Sequence, residues 1–97
     1  MNVTTAVVLI GFTIVFDLIS MRYKADLFST IGGIVMLSSE SLLLAGGNIV
    51  MNTAFNPSTN TFYNQLGDST DYQTFVVLFI VFAVMSFYLT MANRKVA

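Results

Sequence analysis

Long apolar runs separated by short polar punctuation dominate this chain, and the runs have the length of membrane spans. Val3 to Met21, Leu27 to Met51 and Thr74 to Ala92 are predominantly apolar, and each is close to the roughly 20 residues a helix needs to cross a hydrocarbon core of about 30 Å. Lipid offers no partner to an open backbone, so each run is expected to be helical. Arg22-Tyr23-Lys24-Ala25-Asp26 separates the first two runs, and so short a connection permits only an antiparallel helical hairpin. Residues 52–73, between the second and third runs, are rich in Asn, Thr and Ser and hold the single proline, Pro57. That stretch reads as the one true loop. The pattern predicts an all-α membrane protein of three transmembrane helices, about 3–21, 27–51 and 74–92, forming a single integral membrane domain over residues 1–97 with an outer loop at 52–73.

Composition removes several classes of function. Of 97 residues, 56% are hydrophobic and only 9% charged, which places the chain outside the soluble globular class. Cysteine and histidine are absent, so a disulfide framework, a thiolate metal site and imidazole ligation are all excluded. No haem, zinc or copper site, and no other cofactor, is expected on this chain alone. A net charge of −1 with four basic residues leaves no nucleic-acid footprint. Those four, Arg22, Lys24, Arg94 and Lys95, fall in the first connection or just after the third run, whereas the long loop carries Asp68 and Asp71 and no Lys or Arg. The positive-inside rule then puts the N-terminus outside, the short turn inside, the long loop outside and the C-terminus inside. Met1 to Thr5 has no basic n-region and no small-residue cleavage signal follows, so the first run is expected to be a retained helix. Asn2-Val3-Thr4 fits a glycosylation sequon but lies close to the membrane, and Asn56-Pro57-Ser58 is excluded by its proline.

Glu40 stands out because it sits near the middle of the run Leu27 to Met51. A charged group at the centre of a membrane helix costs about 2.5–3.5 kcal/mol on insertion scales, so an intramembrane acid marks a functional site by default. Helical spacing puts Glu40 on one face with Gly33, Met36, Leu44 and Gly47, and the glycines would let neighbouring helices come close. Ser38, Ser39 and Ser41 surround it in sequence, and one or two of these hydroxyls can share its face. Away from water the neutral acid is favoured over the carboxylate, and such a group can take up and release a proton when its surroundings change. The bland reading is a neutral acid hydrogen-bonded across a helix interface as glue.

Asp17 lies near the inner end of the first helix, in line with Thr13, Ser20 and Lys24. A boundary salt bridge to a snorkelling Lys24 or Arg22 is one reading, and an inner proton station below Glu40 is the other. The third helix carries no ionisable residue from Thr74 to Asn93, and its Ala83, Ser86, Thr90 and Asn93 form a stripe suited to helix packing. Phe75, Phe79, Phe82 and Phe87 are expected to fill space between helices or face lipid, with Tyr72 and Phe75 in the outer aromatic belt. Pro57 and the many Asn and Thr residues predict irregular structure for the outer loop, packed on a partner. No phosphate loop, nucleophile with a base or paired-carboxylate site is present, so no catalytic centre is expected.

Ser38-Ser39-Glu40-Ser41-Leu42-Leu43-Leu44-Ala45, a small residue, any residue, Glu and an aliphatic run ending in a small residue, resembles the local motif of the K subunit of respiratory complex I, called subunit four-L in mitochondria. Phe82 to Leu89 is similar to the third helix of the related C subunit of Mrp-type cation antiporters. The resemblance covers topology over the whole chain and sequence over about fifteen residues. It implies a multi-pass subunit of a proton-translocating NADH:quinone oxidoreductase, in a mitochondrial inner membrane or a prokaryotic plasma membrane, with the helix-two Glu relaying protons. That family usually has a second Glu in helix three, and this chain has none there, so the role would fall on Glu40, with Asp17 as a candidate inner relay. The implied partners are other membrane subunits and the lipid bilayer. Two further readings stand beside it: an accessory structural subunit of another membrane assembly, such as a respiratory complex, a monooxygenase or a viral envelope, and a holin-like pore former.

Overall fold

A computed structural model describes residues 1–96, with the side chains of Lys95 and Val96 outside the described set. Three helices, α1 (Val3–Tyr23), α2 (Asp26–Gly46) and α3 (Ser69–Val96), carry an antiparallel pair of strands, β1 (Val50–Asn56) and β2 (Thr61–Leu66), between α2 and α3. Each helix is long and apolar enough to cross a membrane. At 1.5 Å per residue, α1 and α2 are each about 31 Å long and α3 about 42 Å. The molecule measures 62 × 20 × 17 Å, so the strand pair adds to the length of the bundle.

Local chemistry sets the ends of the elements. Asn2 caps α1, its side chain accepting from the Thr4 N–H at 2.7 Å. Lys24 closes the helix in the left-handed region at φ 52°, its N–H reaching the Ser20 carbonyl, and the chain turns directly into α2. Gly47, at φ 72°, ends α2 with its N–H on the Leu43 carbonyl, a conformation that suits glycine. The second helix therefore stops at Gly46 rather than Met51: Ile49 to Met51 stay apolar, but the left-handed glycine has already redirected the backbone into β1. Asp68 and Asp71 begin α3 with reciprocal bonds, Asp71 N–H to Asp68 Oδ1 at 2.9 Å and Asp68 N–H to Asp71 Oδ2 at 3.2 Å, a carboxylate version of the capping box. This starts the third helix five residues ahead of Thr74.

The segment expected to be irregular is a β-hairpin. Asn56 accepts from the Ser58 N–H, Pro57 presets the turn, and Asn60 takes the left-handed conformation at φ 53°. Phe55 and Phe62 face each other across the strands with ring centroids 5.1 Å apart. The hairpin base is tied to the chain start, where the Val50 N–H donates to the Met1 carbonyl at 2.8 Å. Gly67 lets this base press on α3, since a Cβ there would lie 2.9 Å from Asp71 Cβ and 3.0 Å from Ile49 Cγ2.

Buried positions recur at alternating intervals of three and four: Thr13, Asp17 and Ser20 on α1, Ser29, Gly33, Met36, Glu40 and Leu43 on α2, and Phe79, Ala83, Ser86, Thr90 and Asn93 on α3. This is the seam spacing of helices that cross at shallow angles. The stripe expected on α3 does face the bundle, and Phe79 is core rather than lipid-facing. Helix α2 lies between its neighbours through Gly32 and Gly33. A Cβ on Gly33 would fall 2.7 Å from the Phe87 ring, and one on Gly32 would fall 3.3 Å from both Asp17 Oδ1 and Thr13 Cγ2. Close backbone approach of this kind is how small residues join membrane helices.

Candidate functional site

Two acids lie inside the bundle, and their surroundings differ. Asp17 is 7% exposed and accepts the Ser86 hydroxyl through both carboxyl oxygens, at 2.9 and 2.8 Å. One hydroxyl has one hydrogen, so this is a single bifurcated bond from α3 to α1, laid against the bare backbone of Gly32. Toward the turn end the polar contacts continue. Thr90 meets Ser29 at 2.7 Å and Thr30 at 3.2 Å, and Asn93 donates to Ser20 Oγ at 2.8 Å, which itself donates to the Ala25 carbonyl at 2.6 Å. Arg94 closes the series on Asp26 at 2.9 Å. Ser29 and Thr30 are members of this ladder that the hydropathy pattern concealed; the interval of three between Ser29 and Gly32 was the available signal.

The salt bridge considered for Asp17 does not form. Lys24 and Arg22 are exposed, and the ion pair among the described residues joins Arg94 to Asp26. The rotation of α1 turns Asp17 toward Ser86 instead.

Glu40 is also 7% exposed, but neither carboxyl oxygen has a hydrogen-bond partner. Among the described residues these are the only two buried side-chain nitrogen or oxygen atoms left so. Its neighbours along the buried stripe of α2 are Met36 and Leu43, both fully buried, and the core at this level also holds Phe79 and Ala6. The nearby hydroxyls do not serve it. Ser39 donates to the Val35 carbonyl at 2.7 Å, Ser41 to the Leu37 carbonyl at 3.1 Å, and Ser38 is exposed. On the expected face Gly33 and Met36 are buried as anticipated, while Leu44 and Gly47 are exposed and Leu43 takes their place.

Glu40 also lies nearer the hairpin end of its helix than its place in the apolar run suggests. Because α2 ends at Gly46, Glu40 stands six residues from its hairpin end, about 9 Å, rather than at the centre. Asp17 stands six residues from the end of α1 at Tyr23, about 9 Å from the opposite side of the bundle. The two acids are thus separated by about 13 Å along the axis. Met36 lies between Gly32 and Glu40 on the buried stripe, and no hydrogen bond among the described residues links the two acids. The structure does not bring Asp17 and Glu40 into one site.

Chemically, the arrangement offers one partnered acid in a hydroxyl-lined half and one unpartnered acid in an apolar half. A buried carboxyl without a partner carries a desolvation cost of about 1–3 kcal/mol, and it is available to a proton or to a donor brought by another molecule. No family model, curated protein or solved structure matches the chain.

Proposed function

We propose that this integral membrane protein is a small subunit of a proton-translocating membrane complex, oriented with its hairpin outside and its basic turn inside, in which Glu40 carries an exchangeable proton. The observation that carries the reading is the pair of unpartnered, buried Glu40 oxygens, in a chain whose other buried polar side chains are all satisfied among the described residues. A polar group left without a partner in a water-free core costs stability, so it is more readily explained by use than by architecture. The chain alone supplies no second station next to Glu40; a neighbouring subunit would have to provide it.

Two further features support a subunit rather than an independent protein. The hairpin leaves its aromatic pair open, Phe62 at 73% and Phe55 at 47% exposure, and an isolated two-stranded hairpin is marginally stable without something to pack on. No Lys, Arg, Asp or Glu occurs between Glu40 and Asp68, so the strand edges lack the charges that commonly discourage edge pairing. The resemblance of residues 38–45 to the K subunit of complex I makes a redox-driven quinone reductase the leading candidate for the complex. Asp17, occupied by Ser86 and distant from Glu40, is left out of the path.

The test uses the tagged chain purified from its native membranes with its partners. Antiporter-like and quinone-reductase subunits should co-purify. Glu40→Gln, nearly the same shape, should assemble at wild-type level and lower proton translocation at least tenfold. Unchanged translocation in the assembled variant would reduce Glu40 to helix glue, and co-purification with unrelated proteins would remove the respiratory assignment.

A further inference from the structure

Among the described residues, Ile49 is the one buried residue that belongs to no helix. It sits between Gly47, the left-handed end of α2, and Val50, the first residue of β1. Its side chain is nevertheless fully buried, in the same core as Ala6, Leu43 and Phe79. The chain around it is open: Leu44 to Gly47 are exposed and Asn48 is half-buried. We infer that Ile49 plugs the hairpin-side mouth of the bundle, and that the Glu40 proton exchanges with water on that side when Ile49 lifts. This rests on the reading of Glu40 as a proton carrier and adds the face of the membrane from which its proton enters.

The two directions away from Glu40 are closed by different means. Toward the turn, Glu40 is fourteen residues from the start of α2 at Asp26, about 21 Å. That way is shut by backbone. Met36 is fully buried there, and beyond it a Cβ on Gly33 would fall 2.7 Å from the Phe87 ring and one on Gly32 3.3 Å from Thr13 Cγ2. Opening it means parting the helices. Toward the hairpin, six residues or about 9 Å remain, and the fully buried side chains there are Ala6, Leu43 and Ile49. Of these, Ile49 alone can leave without moving a helix.

Its anchors are few. The Ile49 carbonyl accepts from the Gly67 N–H at 2.8 Å, and the Val50 N–H donates to the Met1 carbonyl at 2.8 Å. Both bonds lie at the base of a two-stranded hairpin, an element of marginal stability by itself, and such elements open locally at less cost than a packed core. At Gly47 a Cβ would meet nothing within 4 Å, so the pivot is uncrowded. No Lys, Arg, Asp or Glu lies on α1 ahead of Asp17, on α3 between Asp71 and Arg94, or between Glu40 and Asp68. The titratable groups near the mouth are Tyr72, packed against this core, and the Met1 amino group, held 3.4 Å from the Asn48 carbonyl. Neither bonds Glu40, whose oxygens are unpartnered, so water has to carry the proton in.

The experiment follows the Glu40 carboxyl hydrogen by time-resolved infrared spectroscopy as the full chain in nanodiscs is switched into heavy water, using the carbonyl band that Glu40→Gln removes. Ile49→Ala should speed the exchange at least tenfold, because truncation weakens the closed state. Ile49→Val, which removes a single carbon and keeps the test open where Ile49→Ala fails to fold, should speed it about threefold. Ser86→Ala, a small truncation beside Gly32 on the turn side, should leave the rate unchanged. A wild-type rate in the folded Ile49 variants, or equal acceleration in Ser86→Ala, overturns the hairpin-side route while the proton stays assigned to Glu40. Core amides that speed up as much as the carboxyl in Ile49→Val also overturn it, since the whole bundle then opens. A wild-type chain with no exchanging Glu40 band would overturn both this inference and the proton reading.

Discussion

The turn-end half of the bundle and the hairpin-end half are built on different physics. Toward the turn, Asp17, Ser20, Ser29, Ser86, Thr90 and Asn93 meet across the helix interfaces, and each of these side chains finds a partner. Toward the hairpin, Ala6, Leu43, Ile49 and Phe79 are fully buried and Glu40 lies among them unpartnered. In lipid, helices gain little from hiding apolar surface and associate through close packing and interhelical hydrogen bonds. The turn-end half uses both, whereas the hairpin-end half relies on packing around Phe79 and carries Glu40 as a cost. The two acids, equally buried, are therefore retained for different reasons: Asp17 is integrated into the architecture, and Glu40 is not.

If this division is correct, truncations should hurt unequally. Phe79→Ala, which removes the largest fully buried side chain, should destabilise the chain by about 3 kcal/mol in a mixed-micelle denaturation titration; a loss under about 1 kcal/mol would mean that packing does not hold the hairpin-end half. Ser86→Ala should cost about 1 kcal/mol, in the range of membrane interhelical hydrogen bonds, with an added contribution if Asp17 loses its only donor. Arg94→Gln should be the mildest, under about 0.5 kcal/mol and smaller still in high salt, because the Asp26 pair is exposed. An Arg94 effect matching that of Ser86 would place the strength of the turn-end half at its rim instead of along its hydroxyl ladder.

The three spans were readable because hydropathy over about 20 residues is a strong signal and lipid leaves the backbone few options. Boundaries were less so. Gly46-Gly47 stops α2, yet the apolar residues from Ile49 onward masked the stop, and this misplaced Glu40 toward the centre. The Asp68 and Asp71 pair announced the start of α3 in a form that hydropathy ignores. The hairpin escaped because Val50-Met51-Asn52-Thr53-Ala54-Phe55 runs in pairs of like polarity and not in alternation, as expected where both faces are largely exposed. Its readable mark was the turn Asn56-Pro57-Ser58-Thr59-Asn60 between β-prone flanks. For the acids, periodicity put Glu40 on the inner face with Met36 but chose Leu44 where Leu43 is buried. The partner of Asp17 was beyond reach, because Ser86 is 69 residues away and only the packing of α1 on α3 selects it.

Glu40 is held at a cost to the fold, and the most direct check is the unfolding free energy of Glu40→Leu relative to wild type in the same mixed micelles. Replacing a buried, unpartnered acid with an apolar side chain of similar size should stabilise the isolated chain by about 1–2 kcal/mol. A loss of stability of that size would show instead that Glu40 contributes to the fold of the chain.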